Sequence, residues 1–135
     1  MRKSFNDVRV QKSGNTYDAF FKGDKSPFMK VYVLKKKENG MIRIEIVADP
    51  KRIGAYEDSA LENMTGMVDS ERHIVTIAMK YIVRCLFCEG KGVYVKFDSK
   101  KDKEAASFLC QFLKATGFVV SDNNVETVFF LTKPI

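Results

Sequence analysis

Few side chains in this chain are suited to chemistry, and they bound what it can do: three cysteines, one histidine and a scatter of charged residues. Cys85-Leu-Phe-Cys88 has the C-x-x-C spacing of a redox dithiol or of half a zinc site. It falls at the C-terminal end of a predicted helix, where the dipole disfavours a thiolate. Zinc would need two more ligands, drawn from His73, Cys110 and scattered carboxylates. The cysteines therefore read as buried apolar side chains, and no metal is expected. His73 would have to serve any Ser-His-Asp or Cys-His mechanism, yet no nucleophile motif surrounds it. It reads as a surface or capping residue at a helix start. The spacings G-x-x-x-x-G-K-S/T and G-x-G-x-x-G are absent, and Gly90-Lys91-Gly92 leads into a strand, which excludes P-loop hydrolysis.

Charge offers a second kind of chemistry. The net charge is +6, and the whole excess lies in residues 1–47, with eleven Lys/Arg against five Asp/Glu. Lys35, Lys36, Lys37 and Arg43 gather near the tip of a predicted hairpin. Such a patch can hold nucleic acid, another anion or an acidic protein, or it can be a solvated edge that discourages aggregation. No run interleaves aromatic with basic residues, so charge alone supports a nucleic-acid partner.

The elements that position these residues follow from periodicity and turn chemistry. Residues 1–27 read as short strand or turn pieces. Two β-rich runs, Phe28 to Lys36 and Met41 to Ala48, meet at Asn39-Gly40, a two-residue hairpin turn. That turn pairs Val33 with Ile46 and Lys35 with Ile44. It sets Val31, Val33, Ile42, Ile44 and Ile46 on one face, to be covered by helix. Tyr32, Leu34, Arg43, Glu45 and Val47 form the other face, a mixture that suits partial exposure or a ligand. A short helix is expected around Tyr56 to Met64. A long one, Ser70 to Phe87, is apolar nearly all round, with His73, Thr76, Lys80 and Arg84 as its polar stripe. Gly90 and Gly92 close that helix, and Gly92 to Phe97 alternates as a strand. Asp102 to Thr116 is the next helix, stopped by Gly117. Phe118 to Ser121 and Thr127 to Thr132 make a last strand pair.

This order, from antiparallel hairpin through helix, strand and helix to a final antiparallel pair, resembles the GNAT superfamily of acyl-CoA-dependent N-acetyltransferases. The local match is Phe112-Leu113-Lys114-Ala115-Thr116-Gly117-Phe118, similar to the Y-x-x-x-G-F that ends the last helix in that superfamily. The resemblance implies acetyl-CoA as acyl donor and an amine as acceptor. It implies Glu45 as the base that takes the amine proton. By the same resemblance, Lys51-Arg52-Ile53-Gly54-Ala55-Tyr56 stands where the family has its Q/R-x-x-G-x-G/A pyrophosphate loop at a helix N-terminus. Arg52, Gly54 and Ala55 would then meet the pyrophosphate. Leu113 stands where the family often has a tyrosine acid, and Ala106 stands near the place of its asparagine.

The expected fold is α+β: one domain of residues 1–135, with a mixed, mainly antiparallel sheet and two principal helices. With 135 residues, 45% hydrophobic and 30% charged, the composition is that of a globular domain. No apolar run is long enough to span a membrane. The odd number of cysteines within apolar segments points to a reducing compartment, hence the cytoplasm. An exposed edge strand could pair with a second copy as a homodimer. The competing function is a non-enzymatic module that binds nucleic acid or an acidic protein through the basic hairpin.

Overall fold

A computed structural model describes residues 8–38, 40–60, 73–87 and 92–132, with side chains for all of these except 35–38 and 56–60. Seven strands form one sheet: β1 Val8–Ser13, β2 Thr16–Phe21, β3 Met29–Glu38, β4 Met41–Ala48, β5 Val93–Asp98, β6 Val119–Asp122 and β7 Glu126–Leu131. The helices are α1 Pro50–Ala60, α2 Ile74–Phe87 and α3 Lys103–Thr116. The sheet order is β1-β2-β3-β4-β5-β7-β6. Only β4 and β5 are parallel; every other neighbouring pair is antiparallel. The fold is therefore α+β with a mixed, mainly antiparallel sheet, as the sequence pattern indicates.

The N-terminal pieces resolve into a hairpin, β1 to β2, turning at Gly14-Asn15 with Gly14 at φ 59°. In the next hairpin Gly40 has φ 80°, as a two-residue turn requires; Asn39 lies outside the described residues. Beside the turn, Lys37 faces Ile42 and Glu38 faces Met41, the expected register. Further along, Val33 faces Ile44 and Val31 faces Ile46, so the expected pairing of Val33 with Ile46 and Lys35 with Ile44 is corrected by two positions. The cause is an irregularity between Val33 and Lys37, where Leu34, Lys35 and Lys36 stand opposite Arg43 alone. A shift of two keeps the parity of the strand, so the faces survive it: Val31, Ile42, Ile44 and Ile46 are all buried.

That face carries the core. Ile44, Val95, Phe129 and Leu131 from the strands join Ile53 of α1, Ile74, Met79 and Ile82 of α2, and Leu109, Phe112 and Leu113 of α3. The opposite face is more open: Tyr32, Leu34 and Arg43 are half-buried, and Glu45 and Val47 are exposed.

Two helices depart from expectation. α1 begins at Pro50, six residues before Tyr56. Asp49 supplies the reason, since its Oδ1 accepts the Arg52 N–H at 3.2 Å and its carbonyl accepts the Ile53 N–H at 3.0 Å. Pro50 then sits at the first helical position, where its missing N–H costs nothing. On α2, the expected polar stripe is half wrong: His73 is 6% exposed and Thr76 is 0% exposed. α3 packs against that side of α2, and the His73 ring stacks on Phe112 with centroids 3.9 Å apart. His73 Nδ1 also accepts the Val75 N–H at 3.2 Å, so the histidine caps the helix from inside the core. Lys80 and Arg84 keep to the outside. Gly117, at φ 111°, ends α3 as expected, with Phe118 N–H bonded to Leu113 O at 2.9 Å.

Gly92 locks β4, β5 and β7 together. A Cβ there would lie 2.8 Å from the Leu131 carbonyl oxygen and 3.1 Å from Met41 Cγ. Gly92→Ala should therefore destabilise the protein by roughly 1–3 kcal/mol through overpacking, read by chemical denaturation. An unchanged midpoint would show that the strands are not held this closely.

Candidate active site

The parallel pair β4–β5 is joined at one end only. Ile42 N–H donates to Gly92 O at 2.8 Å, and the register is Ile42 with Val93 and Arg43 with Tyr94. Beyond Arg43 the two strands are no longer paired. The irregularity in β3 lies directly opposite Arg43, and such bulges increase local strand twist. β4 thus turns away from β5 where its other neighbour is bulged.

The gap is a cleft of about 550 Å³ that opens through the sheet. Arg43, Glu45 and Val47 line it from β4, and Lys96 and Asp98 from β5. Ile46, Val95 and Phe97 form its apolar inner part, and Asp102 and Ala105 at the start of α3 close one side. Because Ile42 N–H points toward β5, the alternation of a strand directs the amide groups of Ile44 and Ile46 the same way. The pairing of Arg43 with Tyr94 takes up the Ile44 N–H, so the open edge of β4 begins at the Ile44 carbonyl and continues with the Ile46 amide.

Two side chains of this edge stand without protein partners. Arg43 Nε is buried and has no hydrogen-bond partner. Glu45 is exposed, two residues on and on the same face. Lys96 Nζ lies 5.7 Å from the centre of the Tyr94 ring, across the gap on β5.

The other wall is set by a short turn that sequence reasoning did not single out. Asp98 Oδ1 accepts the N–H groups of Lys100 and Lys101, each at 2.8 Å, and Asp98 N–H donates to Asp102 Oδ2 at 2.9 Å. The Lys101 N–H first, then the Lys100 N–H, hold the Asp98 carboxyl below its ordinary value of 3.8, and both lysine charges add to this. The signal was present in Asp98-Ser99-Lys100-Lys101-Asp102, a strand end followed by two aspartates before a helix.

The residues expected to act divide into two groups. Glu45 and Arg43 come together in the cleft. Lys35, Lys36 and Lys37 run along β3, and their side chains lie outside those described. Arg52, Gly54 and Ala55 lie inside α1 and not in a loop, and they do not line the cleft. The Arg52 guanidinium is occupied: it bonds Pro27 O at 2.8 Å and Ser26 O at 2.9 Å, and pairs with Asp24 at 3.1 Å. Gly54 has open space where a Cβ would sit. Leu113 is fully buried, and Ala106 is half-buried. Cys85 and Cys110 are free, half-buried thiols, and Cys88 lies outside the described residues.

No protein-family model matches the chain, and no curated protein matches it. Solved structures do. The crystal structure of a GNAT-family acetyltransferase from Bacillus anthracis aligns with a TM-score of 0.51 at 10% identity. The alignment covers 87% of this chain and 66% of that one, so the chain spans somewhat less than two thirds of that structure's length. The Campylobacter jejuni N-acetyltransferase PseH, solved with acetyl coenzyme A, aligns with a TM-score of 0.48 at 12% identity, covering 90% and 70%. The chain has a GNAT-like fold. Among the described residues no helix is long and apolar enough to cross a membrane.

The Asp98 turn gives the cleft wall an acid limit. A carboxyl lowered in the folded state stabilises fully above its unfolded value of 3.8, and that contribution is lost as pH falls through the lower folded value. Thermal melts from neutral pH down to below 3.8 should show an acid loss of stability that is smaller in Asp98→Asn, which cannot titrate. Superimposable acid limbs would remove Asp98 from the account.

Proposed function

We propose that this chain is an acyl-CoA-dependent N-acyltransferase whose active site is the cleft between β4 and β5. The observation that carries this reading is the one-ended pairing of the two strands, which leaves the β4 edge open beside Glu45.

The residues present fit the acyl-bearing arm of coenzyme A. That arm is extended and carries amide groups, so an open strand edge can receive it as a further strand by backbone hydrogen bonds. The Ile44 carbonyl and the Ile46 amide would hold it, and Val95 and Phe97 would give the acyl end an apolar wall that excludes water. When bound, the thioester would supply an acyl carbon open to attack by an amine, the C–N bond forming as the C–S bond breaks and coenzyme A leaving as its thiol. Glu45 reaches the cleft from the exposed face, where an amine enters, and its carboxylate takes the proton that the attacking nitrogen releases, directly or through a water. Leu113, buried in the core, supplies no proton. Arg52 is committed to the turn before β3, so in this reading it fixes α1 and does not bind the cofactor.

The test is a steady-state assay with acetyl-CoA and a panel of primary amines, together with calorimetric titration of coenzyme A. Wild type should bind coenzyme A and transfer the acyl group. Glu45→Gln should lower kcat by about 10²–10⁴-fold, the usual weight of a general base, while still binding coenzyme A. A wild type that binds no coenzyme A would overturn the proposal.

A further inference from the structure

Arg43 lines the cleft beside the base assigned above, and its Nε is a buried donor with no acceptor among the described residues. A buried N–H donor without an acceptor costs folding free energy, and a ligand that supplies the acceptor recovers it. Arg43 Nε is such a donor. The half-buried Arg43 guanidinium carries parallel N–H groups, the geometry that receives a carboxylate in bidentate fashion. Glu45 follows on the same face of β4, roughly 7 Å further at the Cα atoms given a rise of about 3.3–3.4 Å per residue. Its carboxylate is exposed and is the complement of an ammonium or amine.

Resting on the acyltransferase reading, we propose that the acceptor is a small aminocarboxylate, held by its carboxylate at Arg43 with its amine presented to Glu45. The two groups lie along one strand, so they measure the distance between amine and carboxylate in the acceptor. A molecule with an amine but no anion leaves Arg43 unsatisfied, and one with an anion but no free amine gives Glu45 nothing to deprotonate. Lys96, across the gap on β5, adds positive charge to a cleft that Asp98, Asp102 and Glu126 also line with carboxylates. The arrangement therefore discriminates by charge at two points, and a site that leaves a buried polar group unpaired rejects the wrong ligand strongly.

The experiment uses glycine, β-alanine and γ-aminobutyrate, each with its carboxamide counterpart, titrated into the full chain by ligand-observed NMR without acyl-CoA. At least one acid should bind wild type at least about tenfold more tightly than its own carboxamide, as expected for a charge-assisted bond. Arg43→Gln should abolish that preference while leaving the carboxamide unaffected, and Arg43→Lys, which keeps the charge but loses the fork, should recover only part of it. Circular dichroism melts establish that each variant is folded; should Arg43→Gln not fold, Arg43→Lys alone carries the comparison. Equal binding of acids and carboxamides by wild type, or an equal loss of both in the variants, overturns the proposal. Wild type that prefers the acids but transfers no acyl group overturns the acyltransferase reading and leaves only the carboxylate site at Arg43 standing. Transfer to carboxamides as fast as to acids does the reverse.

Discussion

The structure turns on a short run of backbone bonds between β4 and β5, which starts with Ile42 N–H to Gly92 O at 2.8 Å and pairs Ile42 with Val93 and Arg43 with Tyr94. It fastens β4 to β5 at one end, and Gly92 lets β7 approach so closely that no side chain would fit between. A sheet pinned at one edge of a strand pair and released at the other must open, because twist accumulates along the unpaired length. An open strand in the middle of a sheet would ordinarily be a liability, since its N–H and C=O groups invite a partner. Here the opening lies between two strands that are each paired on their other side, β4 with β3 and β5 with β7.

The irregularity in β3 completes this arrangement. Three residues opposite Arg43 bend one side of β4 while the other side parts from β5, so Arg43 stands where both neighbours change. The two-residue size of the shift matters as much as its position. A shift of one residue would have turned Ile44 and Ile46 outward and placed Arg43 and Glu45 in the core. With two, the core is kept and the charged pair stays on the open face.

That same parity explains what could be read from the sequence. Alternation along Val31 to Ile46 reports faces and is blind to an even slip, so the inward set was legible while the pairing of Val33 was not. Asn39-Gly40 located the turn, and Gly117 the end of α3, because each meets a local conformational need. The start of α1 was hidden since Pro50 serves equally to end a strand and to begin a helix, and only the Asp49 cap decides between them. His73 and Thr76 looked like a solvated stripe because helical periodicity marks polarity and does not show that α3 packs over them. The site was legible in Glu45 and Arg43 and illegible in the Asp98 turn. Its chemistry there is done by backbone N–H groups, which every residue carries.

The two arginines show most directly where sequence ends and structure begins. Arg43 and Arg52 are alike as letters, and each sits in a stretch where an anion-binding role is reasonable. Arg52 makes two bonds to carbonyl oxygens and one ion pair, which fasten α1 to the turn ahead of β3. Its donors are spent on the fold, so a phosphate would have to displace partners already in place. Arg43 has a desolvated donor with nothing bound to it, at the mouth of a cleft and beside a free carboxylate. Charge is common to both, and only the unsatisfied capacity distinguishes them. A ligand gains most where the protein has already removed the water and left the bond unmade, a capacity that Arg43 keeps and Arg52 has spent.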